Sequence, residues 1–308
     1  MPRFTRTQIY DVLPYLQLDA VEYRFRNKPS NELAISIVLA RLSYPRKGQD
    51  LSGVFGRSAA YISAVFNDVV EYLFLRYKGI IEWHPTITYE RCRFFAAKLE
   101  HKSRTKTPGI WAFLDGTFRV ICRPTTDQRV FYSGYKKKHG FKYQALVTPD
   151  GILSSLIGPF EGRINDNNMY NQSGLESRLH QLLDGREPLF IFGDSQYDSC
   201  FGVLPPYKRF TELSVNQKRF NAELAWSRIS VEQAFGRVQN IFSANAFELQ
   251  VKMHLQQVAC FFVVSALFTN IQTCMEGNLV SRRFQTNPPS LHQYLSPRRD
   301  NSDNGDPT

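Results

Sequence analysis

"PLFIFGDSQYD", Pro188–Asp198, sets an uncharged run from Leu189 to Gly193 directly against an acid, Asp194. A short apolar run bounded by Pro and Gly reads as a buried strand. "WAFLDGTF", Trp111–Phe118, has the same form, with Asp115 closing the run and Gly116 after it. Ends of buried strands hold side chains rigidly, and α/β sheets build sites there. These residues leave two readings open. Each Asp forms a turn where its strand exits, a common role for Asp. Alternatively the strands are neighbours, and the crowded carboxylates share a proton or a hard cation such as Mg²⁺.

A third acid comes from "SRISVEQAFGRVQNIF", Ser227–Phe242, where Val231, Phe235, Val238 and Phe242 make a stripe at helical spacing. Glu232 lies at the edge of that stripe, beside the open face left by Gly236. From there it either looks into a cleft beside the sheet or pairs in solvent with Arg228, four residues before it.

Around these stretches the chain divides by texture into residues 1–105, 106–282 and 283–308. The first part is helical. "NELAISIVLARL" begins with Asn31 as an N-cap candidate, and Gly56 separates a short helix from a long one opened by Ser58. Two helices about a Gly turn suit a helix-turn-helix, with Arg57, Ser58 and Tyr61 near the front of the second helix as DNA-reading candidates. A hairpin that only packs is the plainer alternative. The second part holds short apolar runs, a hairpin turning at "PDG" (Pro149–Gly151), a helix opened by Asn165 and Asp166, and helices again from Phe220. Strands, a helix, another strand and then helices describe a mixed α/β domain. The third part is rich in Pro, Asn, Asp and Ser, and is expected to be disordered.

The 308 residues carry a net charge of +10. Ten Lys or Arg against two Asp fall within residues 101–142, a local excess of +8 that suits a polyanion. Within it, Lys136, Lys137 and Lys138 are candidates for backbone phosphate contacts, together with Arg237 further on. The five scattered cysteines lack metal-ligand spacing and indicate a reducing compartment. The first residues lack the long apolar core of a secretory signal. "VACFFVVSALF", from Val258, is shorter than the ~20 residues of a membrane span and reads as a core helix.

Other chemistries find no footing. There is no HExxH, GxSxG, GxGxxG or GxxxxGK[ST]. "FLDGT" with the later "GDSQYD" resembles haloacid dehalogenase-like phosphatases, but the nucleophile position there is Phe113, which cannot attack phosphorus.

"FLDGTFRVICRP", "YSGYKKKHGFKYQALVTPDG", "GPFEGRINDNNMY", "FIFGDSQY" and "SRISVEQAFGRVQNIF", in that order, resemble the PIF/Harbinger group of DDE superfamily transposases, relatives of Harbinger transposase-derived nuclease. The resemblance implies an RNase H-like core, a mixed sheet flanked by helices, behind an all-helical N-terminal region. Asp115, Asp194 and Glu232 would be its catalytic, metal-binding triad. Two Mg²⁺ (or Mn²⁺) ions about 3.5–4 Å apart would serve cleavage and strand transfer of DNA. Transposon ends and target DNA would be the partners, with a Myb-like protein, a homo-oligomer and a nuclear location also implied. A non-cleaving scaffold and a nuclease without strand transfer remain alternatives. Two positions depart from the family pattern: "QYDS" follows Asp194, and Asn165-Asp166 stands where a His-Asp pair is common.

Overall fold

The computed structural model describes residues 4–24, 28–46, 48–102, 108–208, 212–246 and 258–296. Five helices come first: α1 (Arg6–Leu16), α2 (Asn31–Ser43), α3 (Gly48–Phe55), α4 (Ala59–Glu82) and α5 (Tyr89–Lys102). Side chains that accept backbone N–H groups start three of them. Thr5 and Gln8 close a capping box on α1, Ser30 caps α2 one residue before Asn31, and Ser58 caps α4.

β1 (Ile110–Val120) follows, then α6 (Gln128–Phe131), β2 (Tyr132–Ser133), β3 (Lys138–Val147), β4 (Leu153–Glu161), α7 (Asp166–Ser173), α8 (Leu175–Leu183), β5 (Phe190–Phe192) and β6 (Val203–Leu204). β3 pairs antiparallel with both β1 and β4, β5 pairs parallel with β1, and β6 pairs parallel with β5. The hairpin expected at "PDG" is the β3–β4 turn, where Gly151 takes φ +81° and Asp150 Oδ1 accepts from Thr148 Oγ1 and Ile152 N–H. A mixed sheet of this order, flanked by helices and preceded by a helical region, is the expected RNase H-like class.

β1 is apolar on both faces because helices cover both. Trp111, Leu114, Leu146 and Ile191 pack with Leu175 and Leu179 of α8 and Phe95 of α5. Phe113, Tyr143 and Val147 pack on the other side with α2, α4, α9 (Val215–Ile241) and α10 (Val258–Glu276). Full burial of each such side chain contributes about 1.5–3 kcal/mol. This second cluster also includes Phe4, Leu16 and Ile37, so the helices within residues 1–105 share a core with the sheet. The boundary read near residue 105 itself falls at 103–107, outside the described residues. By length and composition α10 could cross a membrane, but 67% of its apolar window is buried inside the protein, as expected of a core helix.

The expectation of a disordered tail is corrected for residues 283–296. α11 (Leu279–Phe284) and α12 (Leu291–Leu295) are ordered, and Phe284 and Tyr294 are fully buried. Phe284 stacks on Phe113 at 5.9 Å between centroids, and Tyr294 stacks on His84 at 4.7 Å. A few apolar anchors hold a segment whose average composition is polar. The rest of that expectation, 297–308, lies outside the described residues.

Candidate active site

Asp115 and Asp194 reach one place because their strands are neighbours. Phe113 of β1 and Phe192 of β5 are register partners in a parallel pair, and each acid lies two residues further along. Both carboxylates are nearly buried, at 8% exposure, and both line a cleft of about 830 Å³. Backbone amides orient them. Gly116 N–H donates to Asp115 Oδ1 at 2.9 Å, and Gln196 N–H donates to Asp194 Oδ1 at 2.8 Å.

A third acid of the cleft is one that the sequence reading treated only as a helix start and a departure. Asp166 opens α7 and is buried, and its Oδ1 accepts from Lys142 Nζ at 2.9 Å. Asn165, not Asp166, performs the capping by accepting from Asn168 N–H at 2.8 Å. Gly116 makes room for this neighbour, since a Cβ there would stand 3.2 Å from Asp166 Oδ1 and 2.9 Å from Met169 Cε. Beneath the acids lies Tyr197, buried and hydrogen-bonded by Gln144 Nε2 at 3.3 Å. Burial, then the charges of Asp166, Asp115 and Asp194, push its hydroxyl well above the usual range. It therefore stays protonated.

Bases form the rim. Lys136, Lys138, Lys142 and Arg163 line the same cleft, giving four cations against three carboxylates. Lys136 and Lys137 sit in the turn between β2 and β3, where Lys137 takes a left-handed φ of 53° and lies outside the lining. Asp198, on the loop beyond Asp194, pairs with Lys208 at 3.1 Å and bonds Asn167, which ties that loop to α7.

The remaining sequence candidates lie elsewhere. Glu232 is exposed on α9 and does not line the cleft. Its helical phase matches that of Asn221 and Ala225, which border a second hollow of about 450 Å³ against Asp194. The side chain of its alternative partner, Arg228, is outside the described residues. Arg237 departs from its expected place among the phosphate contacts. It is half-buried, donates to Gln272 of α10 at 3.2 Å, and has its pKa lowered by burial. Arg57, Ser58 and Tyr61 cluster at the start of α4, with Ser58 Oγ accepting from Tyr61 N–H and the Arg57 guanidinium 5.6 Å from the Tyr61 ring. They are no part of the cleft.

The family model of the DDE superfamily endonucleases matches residues 114–270, just over half of the chain. The chain belongs to this family. The match opens one residue before Asp115 and encloses Asp194 and Glu232. No curated protein and no solved structure matches the chain. The DDE endonuclease family makes this a transposase-like nuclease domain with a DNA substrate, of a kind that generally uses divalent metal.

The cleft's donor set can be compared with that metal. Asp115 and Asp194 offer only oxygen, which suits a hard divalent cation. Among the described residues, no three acids, histidines or cysteines are gathered closely enough to enclose one. The pair fits the ion, and a compact three-ligand cage is not assembled.

Proposed function

We propose that this DDE endonuclease is a Harbinger-type transposase that cuts DNA phosphodiesters and joins the ends to a target. The observation that carries the reading is the convergence of Asp115 and Asp194 on the floor of a cleft with a basic rim. Asp115 and Asp194 would hold a divalent cation, which when bound polarises phosphate oxygens and lowers the pKa of an attacking water. Lys136 and Lys138 would grip backbone phosphates on either side of the scissile one and fix its position without reading sequence. Lys142 neutralises Asp166, so the floor carries less repulsion toward the phosphate than three bare carboxylates would. The amides of Gly116 and Gln196 hold the two acids in fixed orientation, so little reorganisation is needed at the moment of reaction. Glu232 of α9 is proposed as the third acid. Action in the nucleus, a Myb-like partner and self-association extend the proposal from the family resemblance.

One observation favours a second reading, a DNA-binding protein that no longer cleaves. Glu232 is exposed and stands outside the cleft lining. The test is incubation of the full chain with Mg²⁺, DNA carrying candidate terminal repeats, and target DNA. The transposase reading expects nicked and then joined products. Cleavage without joining would reduce the protein to a nuclease, and binding without cleavage would establish the second reading.

A further inference from the structure

A second set of charges lies on the α10 side of β1, apart from the acidic cleft. Arg119 is 8% exposed, and its Nη2 donates to Thr117 Oγ1. Its Nε and Nη1 have no hydrogen-bond partner among the described residues. Arg41 of α2 faces the same small cavity of about 50 Å³, whose described lining includes Tyr143 and Asn245 and contains no acid. Each guanidinium lies on an aromatic ring: Arg119 is 4.5 Å from the Phe262 centroid and Arg41 is 4.3 Å from that of Phe66. Ring faces recover only part of what is lost when a cation leaves water, and buried charges without a counter-charge are strongly unfavourable. Burial lowers both pKa values, that of Arg119 to about 10. A buried Arg119 and a half-buried Arg41 around one hollow are an incomplete arrangement that an anion would complete.

We infer that this cavity binds a single phosphoryl anion, clamped between Arg41 and Arg119. The volume corresponds to about three to five waters, enough for a tetrahedral oxyanion and too little for a nucleobase. Guanidinium N–H groups make strong charge-assisted bonds to phosphate oxygens, and Nη1 of Arg119 has no other partner among the described residues to compete for such a bond. The site also communicates with the cleft. Thr117, which accepts from Arg119, lines the cleft, and Val120 lines both hollows. The anion therefore sets the position of β1 a few residues beyond Asp115. Its source is either free phosphate or a backbone phosphate of bound DNA. One rival lies within the chain: Glu248 is the one acid in 247–257, between Asn245 and Val258, which both line the cavity.

The test is thermal melting of the full chain against inorganic phosphate, with chloride holding ionic strength constant. The expected result is a saturable rise of about 5 °C at a hundredfold excess over Kd. Arg119→Met and Arg41→Met, prepared separately, each abolish the rise. The two variants also guard against one of them failing to fold. An unsaturable rise shared by both variants overturns the inference, as does a wild type that responds to phosphate only after Glu248→Gln. Duplex DNA binding then separates the sources. Phosphate competition together with weaker binding by Arg119→Met assigns the site to the DNA backbone, and unchanged DNA affinity assigns it to free phosphate.

Discussion

Asp115 and Asp194 stand two residues beyond Phe113 and Phe192, the register partners that join β1 to β5, and both face one cleft. Adjacent parallel strands lie about 4.8 Å apart, so two carboxylates in that relationship repel unless a proton or cation intervenes. Mg²⁺ added to metal-free protein is therefore expected to raise the melting temperature by about 3–5 °C, and Asp115→Asn to remove that response. Melting curves in EDTA and in Mg²⁺ check this. An equal response in the variant would place the ion elsewhere.

Glu232 gives a sharper discrimination because its side chain is exposed. Glu232→Gln should change stability by less than about 0.5 kcal/mol, as exposed substitutions usually do. As third acid its loss should lower DNA cleavage at least ~100-fold, by analogy with loss of a preorganised electrostatic group. Retained cleavage would remove it from the site and make Asp166 the next acid to test.

The rim lysines should act on affinity and leave sequence preference alone. Lys136→Ala and Lys138→Ala should each reduce the dependence of log affinity on log salt by about one, equally for unrelated duplexes. Arg237→Ala should leave that slope unchanged, since its guanidinium is turned to Gln272. Binding measured across a salt series separates the two cases.

His84 makes stability depend on pH. Thr86 N–H donates to His84 Nδ1 at 3.2 Å, which assigns the ring proton to Nε2, 3.1 Å from the Tyr294 carbonyl oxygen. Burial lowers the pKa, against smaller raising effects from the Tyr294 carbonyl and Asp150, with Arg91 adding to the lowering. Below the unfolded value of about 6.5 the unfolded chain takes up a proton that the folded ring refuses. The stabilising contribution is thus complete above that pH and is lost as pH falls through the lowered folded value. Urea midpoints from pH 7 to 5.5 should fall in the wild type and change less in His84→Asn. Parallel slopes would remove His84 as the cause.

The two strand-end acids were legible because a carboxylate closing an apolar run is a local signal. The β3–β4 hairpin and the long helix with its stripe through Phe235 and Val238 were legible for the same reason. The parallel pairing of β1 with β5 was not, because it brings together segments separated by three strands and three helices. Asp166 was missed because Asn-Asp before a helix reads as capping, and only the fold turns it toward Lys142. Arg119 was counted in the basic patch because sequence charge carries no information about burial. Tyr294 and Phe284 were hidden in a polar tail that a few large side chains suffice to anchor.

The central claim is that Asp115 and Asp194 act together on a DNA phosphodiester. Its most direct test is cleavage by wild type and Asp194→Asn at equal folded concentration, in Mg²⁺ and in EDTA. We expect cleavage in Mg²⁺ by wild type alone, lowered at least ~1,000-fold by the substitution and abolished by EDTA. Cleavage of equal rate by Asp194→Asn would contradict the account.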